Sequence, residues 1–397
     1  MMTTKELEYG ISAYGTPLYI YDIDEIRDVM QKVRLQTQGL AQICYAMKAN
    51  PFLTSYMMEM SDRIEVCSFG EYKICEALKI KPEKLLISGV MKDKKEIESI
   101  LNKCGGNCIY TVESINQFYQ FVKWSEEHRE KLQIYIRISS GNQFGMDEDS
   151  LKQILNAITG TQFIEFKGLH FFSGTQKRKS QSFQQELMRL DQLLQKIEEN
   201  HGISVSDLEY GPGLALPYFH GQNDNREEDL KILCQSVREM NWKGRVTLEM
   251  GRFLVGMSGY YLTSIKDLKT NYGKNYCIVD GGIHQIHYDG QIRGMYCPYV
   301  QCIPERKEGT EKNWEVCGAL CTDNDVLIGE IKLRDIKIGD TFVFQRTGAY
   351  SVTEGMALFL SHPLPATVAF SKENGWRQMR QHLDTYPYNM DGKVKNG

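Results

Sequence analysis

Residues 41–53 read AQICYAMKANPFL. An apolar run, 41–47, meets one lysine, and Lys48 is followed at once by the turn signal Ala-Asn-Pro. A short apolar run bounded by turn residues reads as a buried strand. Outward from it, the same unit recurs. RIEVCS (63–68), KLLISGV (84–90), NCIYTV (107–112), QIYIRIS (133–139), FKGLHFFS (166–173), DLEYGPG (207–213) and RVTLEMG (245–251) are all strand-like. Longer amphipathic segments with helical spacing lie between them, such as SFGEYKICEALK (68–79), KDKKEIESILNK (92–103) and SFQQELMRLDQLLQKIEEN (182–200). Eight such strands alternating with helices or loops predict an α/β chain built on a (β/α)8, TIM-like barrel.

Beyond residue 265 the pattern changes. NYCIVDGG (275–282), MYCPYVQCI (295–303), WEVCGALC (314–321), DVLIGEIKL (325–333) and DTFVFQRTGAY (340–350) are β-rich and separated by polar turns. Helical patterning is nearly absent until 352–360. This predicts a C-terminal all-β domain, Greek-key barrel-like, with TPLYIYD (16–22) supplying a strand from the other end of the chain. The expected division is 26–265 for the barrel, and 1–25 plus 266–397 for the β domain.

Composition excludes several classes of function. A net charge of −4 over 397 residues leaves no electrostatic footprint for nucleic acid. No apolar run reaches membrane-spanning length, and MMTTKELEYG lacks the apolar core of a signal peptide. The 11 cysteines are odd in number and scattered, without a CxxC pair. That reads as a reduced, cytoplasmic chain rather than a disulfide scaffold or a zinc site.

Chemistry in such a barrel gathers where strands end at the C-terminal face. Lys48 ends the first strand, His170 and Ser173 end another, Gly211-Pro212-Gly213 follows a third, and Glu249 and Arg252 close the last. Each has a plain structural reading: a solvated loop lysine, a hydrogen-bonded histidine, a turn, a helix cap. Their joint placement argues for a site, and Lys48 then reads as a Schiff-base amine desolvated at the barrel mouth. Glu249 ends the apolar run VTLEM, where an unpaired charge is costly.

Nine segments carry a family resemblance: YAMKAN (45–50), IEVCSFGEY (64–72), QFGM (143–146), HFFSGTQ (170–176), YGPGLALPY (210–218), LEMGRFLVGMSGYY (248–261), VDGG (279–282), CGALCTDND (317–325) and GAYSVTEGMALFLSHP (348–363). In this order, over nearly the whole chain, they resemble the fold-type III pyridoxal 5'-phosphate (PLP) decarboxylases, the group of diaminopimelate and ornithine/arginine decarboxylases. The resemblance implies that Lys48 attaches PLP covalently, that His170 stacks on the pyridine ring, and that Ser173 binds the phosphate with the backbone at Gly211 and Gly213. Glu249 would meet the ring nitrogen and raise its pKa by opposite charge. Tyr350 would close over the cofactor, and Arg252 would meet phosphate or substrate. Cys321 would enter from the partner subunit of a homodimer with shared active sites, and Thr322 and Asp325 would face the substrate.

The chain also departs from that pattern. Pro212 interrupts the glycine loop and removes a backbone donor. Glu65 stands where the family has aspartate. Thr322, rather than a glutamate, follows Cys321, and Arg293 and Tyr296 miss the register that reads diaminopimelate. CT–D, GRFLVGMSGYYLT and FLSHPLP look closer to decarboxylases of siderophore pathways acting on citryl adducts, and to a butirosin-pathway enzyme acting on a carrier-linked glutamate. The expected substrate is therefore an adducted or carrier-linked amino acid, with diaminopimelate as the alternative. A racemase and a non-catalytic PLP-binding homologue are the rival readings. Racemases set an arginine against the ring nitrogen, so Glu249 argues for decarboxylation. His284 and His287 form an H-x-x-H pair without a third ligand, which points to substrate contact or surface rather than metal.

Overall fold

All eight apolar runs become strands of one closed barrel. The structure is a computed structural model that describes residues 2–392. The chain forms two compact units, one of residues 30–215 and 225–253, the other of the described residues up to Val29 with 216–224 and those from Leu254 onward. Strand β1 (Leu18–Asp22) belongs to the second. The barrel consists of β2 (Ala41–Ala46), β3 (Arg63–Val66), β4 (Leu85–Ile87), β5 (Ile109–Val112), β6 (Leu132–Ile138), β7 (Ile164–Phe172), β8 (Asp207–Gly211) and β9 (Arg245–Met250). All neighbours are parallel, and β9 closes on β2 with Ala41 opposite Val246.

The sequence between strands explains why the chain turns back each time. Ser68, Asp93, Ser114 and Asp147 each cap a helix by accepting from first-turn N–H groups that otherwise lack partners. The helices then bury one apolar stripe, as Phe183, Leu187, Leu190, Leu194 and Ile197 do on the helix Ser180–His201. The barrel interior departs from the branched aliphatic layers common in such folds. Arg63, Glu65, Thr111, Arg137, His170, Glu209, Thr247 and Glu249 are all buried on its strands.

The second unit adds β10 (Gly259–Asn271), β11 (Lys274–Val279), β12 (Val300–Ile303), β13 (Glu311–Cys317), β14 (Val326–Arg334), β15 (Thr341–Gln345), β16 (Ala366–Ser371) and β17 (Gly375–Arg380). With β1 they make one nine-stranded sheet. TPLYIYD does supply a strand: β1 lies between antiparallel β10 and parallel β16. Leu18, Ile20, Tyr260, Leu262, Val343 and Val368 form the core beneath it. The expected boundary near 266 falls inside β10, which pairs with β1 and β15 from its first residues, so the unit begins at Leu254. Segment 352–360 forms turns rather than a helix, with a short 3-10 turn at Phe359–Ser361. Its apolar residues Met356, Leu358, Phe359 and Leu360 are exposed, so no buried stripe stabilises a helix there. A helix that the pattern did not announce, Thr4–Tyr14, opens this unit behind a capping box of Thr3 and Glu6.

Candidate active site

Lys48 sits in a 3-10 turn, Met47–Ala49, directly after β2. Asn50 and Pro51 stop that turn, so the lysine is held at the strand's end. Its Nζ donates to Glu65 Oε2 at 2.5 Å and to Glu249 Oε1 at 3.3 Å. The lysine side chain is 36% exposed while the two carboxylates are 1% and 5% exposed. The amine is reachable; its counter-charges are not. Glu65 is fixed in turn by Ser88, whose hydroxyl donates to Oε1 at 2.6 Å.

Glu249 projects from β9 into the barrel. His170 Nε2 on β7 lies 2.9 Å from Glu249 Oε2, within ion-pair range but out of line for a hydrogen bond, so both atoms are buried without a hydrogen-bond partner. The other ring nitrogen, Nδ1, lies 3.4 Å from Thr111 Oγ1. Burial pushes the Glu249 carboxyl upward, yet Lys48 and His170 outweigh it and hold the group well below the usual carboxylate range. Glu249 is thus an ionised acid at the barrel mouth.

Below it lies a second ionic pair that the sequence did not announce. Arg63 on β3 donates to Glu209 on β8 at 2.7 Å and to the Tyr135 hydroxyl at 3.0 Å. Burial lifts Glu209 to about 7 against the pull of Arg63. A charged residue at an inward position of a strand was the available signal. Its partner, 146 residues away, was not. Another lysine of this unit is shifted by burial: Lys92, beyond β4, donates to the Gly89 carbonyl at 2.6 Å, and burial lowers it to about 8.

At the end of β8, Gly213 adopts φ +64°, and a Cβ there would lie 2.0 Å from the Gly174 carbonyl. Only glycine fits. Pro212 leaves the loop one donor short. Ser173, expected at a phosphate, instead donates its hydroxyl to Glu186 of the helix Ser180–His201, which also receives Lys177 and Tyr210. Thr175, two residues on, is exposed in the same loop. His170, expected to stack on a ring, is 1% exposed and engaged with Glu249. Arg252 is buried at the start of the helical turn after β9.

The remaining expected residues lie in the second unit. Cys321 is exposed and Thr322 half-buried in the loop between β13 and β14. Asp325 is buried and accepts from the N–H groups of Ile283 and Leu320 at 2.8 and 2.7 Å, so its carboxylate clamps two turns. Tyr350 occupies a turn with φ +67°. His287 pairs with Glu354 at 3.4 Å, and His284 is buried beside His362 with ring centroids 5.1 Å apart.

Lys48 is thus a reachable amine between two buried acids at the mouth of a (β/α)8 barrel. Residues 23–256 match the pyridoxal-dependent decarboxylase family, pyridoxal binding domain. The chain belongs to that family. It is a decarboxylase that uses PLP. Among curated relatives, the L-glutamyl-[BtrI acyl-carrier protein] decarboxylase of Niallia circulans is 28% identical, covering 91% of this chain and 90% of that protein. The diaminopimelate decarboxylase of Aquifex aeolicus is 25% identical, covering 94% and 91%. The 2-[(L-alanin-3-ylcarbamoyl)methyl]-2-hydroxybutanedioate decarboxylase of Staphylococcus aureus is 26% identical, covering 87% and 92%. Among solved structures, the diaminopimelate decarboxylase of Helicobacter pylori complexed with L-lysine shares the fold with a TM-score of 0.84 at 22% identity, covering 98% and 99%.

The decarboxylase's own residues fit its cofactor. Lys48 offers an accessible amine, Glu249 an ionised carboxylate with one oxygen free of hydrogen bonds, and Gly211 and Gly213 a backbone that passes too close to its neighbours for a Cβ. No helix among the described residues is long and apolar enough to cross a membrane.

Proposed function

We propose that this decarboxylase removes the α-carboxylate of an amino acid whose far end is adducted or carrier-linked, with Lys48 and Glu249 as its central pair. The observation that carries the chemistry is the Lys48 amine held between Glu65 and Glu249. Losing CO2 leaves an electron pair on Cα, and bound PLP supplies the sink for it. Lys48 would hold the cofactor through Nζ. Glu249 would keep a proton on its ring nitrogen, because an ionised acid favours the charged form of its partner. His170 and Glu65 hold the two ends of that pair in place. The backbone at Gly211 and Gly213 would turn N–H groups toward an anionic group, and Arg252 adds a buried positive charge behind β9. Cys321 of one chain completes the site of a second chain in a homodimer, where its thiol returns a proton to Cα or positions the substrate.

Two features support the substrate reading. Thr322 gives no charged reader after Cys321, and Arg293 and Tyr296 fall out of the register that reads a second amino-acid head. The relative from Niallia circulans, by its name, acts on a glutamyl group on an acyl-carrier protein. The test is mass-spectrometric detection of CO2 loss from free meso-diaminopimelate, citryl-amino acid adducts and carrier-bound amino acids. The adducted or carrier-bound substrate should have a kcat/KM at least about tenfold above free diaminopimelate, a transition-state preference of about 1.4 kcal/mol. Comparable values would assign the chain to lysine biosynthesis instead.

A further inference from the structure

We propose that Lys177 and Glu186 form a charge-cancelled backstop to the phosphate loop: Glu186 holds the Ser173 hydroxyl, and Lys177 neutralises Glu186 so that the loop accepts an anion. Both are positioning residues for cofactor affinity. The inference rests on the reading of Ser173 and Gly211–Gly213 as the phosphate end of a PLP site, and adds how an acid is tolerated beside it.

Two loops at the ends of neighbouring strands are tied together here. The Lys177 N–H donates to the Gly213 carbonyl at 2.9 Å, and Lys177 pairs with Leu214 as an isolated parallel bridge. A Cβ on Gly213 would lie 3.4 Å from Lys177 Cε, so the lysine stem packs on the glycine turn itself. Its Nζ reaches Glu186 on the helix Ser180–His201 and donates to both carboxylate oxygens, at 2.9 and 2.7 Å. The Ser173 hydroxyl donates to one of these oxygens, and the Tyr210 hydroxyl donates to the other at 2.7 Å. The lysine and glutamate side chains are only 10% and 17% exposed.

An acid is the wrong residue type beside a phosphate unless its charge is cancelled. A phosphate monoester is largely dianionic at neutral pH, and like charges repel strongly where water is scarce. Glu186 holds the hydroxyl of the serine assigned to the phosphate, so a bare carboxylate there would oppose the cofactor at that end. Lys177 removes the opposition with a contact to each oxygen. Burial draws the Lys177 amine below its ordinary range, and Glu186 pulls it back part of the way. Without Glu186 the amine lacks a counter-charge, which a phosphate can supply. The two residues touch, yet they push affinity in opposite directions.

The test titrates cofactor-stripped protein with PLP and with pyridoxal, which has the same ring and aldehyde but no phosphate, and follows absorbance. Circular dichroism checks the fold of each variant. Lys177→Met, which keeps the stem, should weaken PLP about tenfold and leave pyridoxal within about twofold. Glu186→Gln, which keeps an acceptor for Ser173, should tighten PLP about fivefold, again without moving pyridoxal. The double variant, neutral at both positions, should return PLP to within about twofold of the unaltered chain. Pyridoxal weakened as much as PLP in Lys177→Met would give the pair a purely structural role and overturn the inference. Weaker PLP binding in Glu186→Gln, or an unchanged ratio of PLP to pyridoxal affinity in both single variants, would overturn it equally. An unaltered chain that bound PLP no better than pyridoxal would defeat the phosphate reading itself, and no substitution enters that comparison.

Discussion

Glu249 carries two opposed effects in one side chain. Burial alone would protonate it, and the charges of Lys48 and His170 keep it ionised. A carboxyl depressed in the folded state contributes stability that is present above its unfolded range, about pH 4.3, and lost as pH falls toward the folded value. Acidification of the cofactor-stripped protein from about pH 5 to pH 3 should therefore lower its melting temperature partly through this residue. Glu249→Gln should flatten that acid limb. The same substitution should reduce kcat by about 100-fold or more, the usual loss when one preorganised charge is removed from a reacting centre. Near-normal kcat in the variant would show that the ring nitrogen keeps its proton by other means. His170 and Ser173 illustrate the limit of residue-level reading. Both were legible as polar groups at a strand end. Which way each one points depends on Glu249 and on Glu186, which lie on other elements and cannot be read locally.

The strands β2–β9 were legible because a parallel strand is buried on both faces and leaves an unbroken apolar run. The helices between them were legible from 3.6-residue spacing and from caps such as Ser114 and Asp147. Ions buried inside the barrel were not. Arg63 in RIEV and Glu209 in DLEYG interrupt apolar runs, but they become a pair only when the sheet closes and brings β3 and β8 to one centre. Removing either partner of such a pair commonly costs about 3–5 kcal/mol, so it holds barrel geometry under the Lys48 layer. The helix Thr4–Tyr14 had a readable start in Thr3 and Glu6. Its buried face is narrow, with Leu7 and Gly10 the buried residues, and gave little periodicity to find. Segment 352–360 shows the converse. Its apolar spacing suited a helix, but nothing buries that face among the described residues of the chain.

At the scale of the whole molecule, Lys48 and Cys321 belong to different compact units, and the proposed homodimer joins one chain's barrel to the other chain's Cys321. Inactive Lys48→Ala chains mixed with inactive Cys321→Ala chains should regain about a quarter of the active sites in random dimers, the arithmetic of an isologous pair. No recovery after verified subunit exchange would mean that each chain builds its site alone or that Cys321 only packs. The dimer and the substrate both depend on one prior point, which lysine carries the cofactor. Two candidates lie on the barrel unit: Lys48, held between Glu65 and Glu249, and Lys92, whose amine burial has brought to about 8. Borohydride reduction of the PLP-loaded protein, followed by digestion and mass-spectrometric peptide mapping, reads the answer directly. A single phosphopyridoxyl mark is expected on Lys48, absent from Lys48→Ala; a mark on Lys92 or on any other lysine would remove Lys48 from its role.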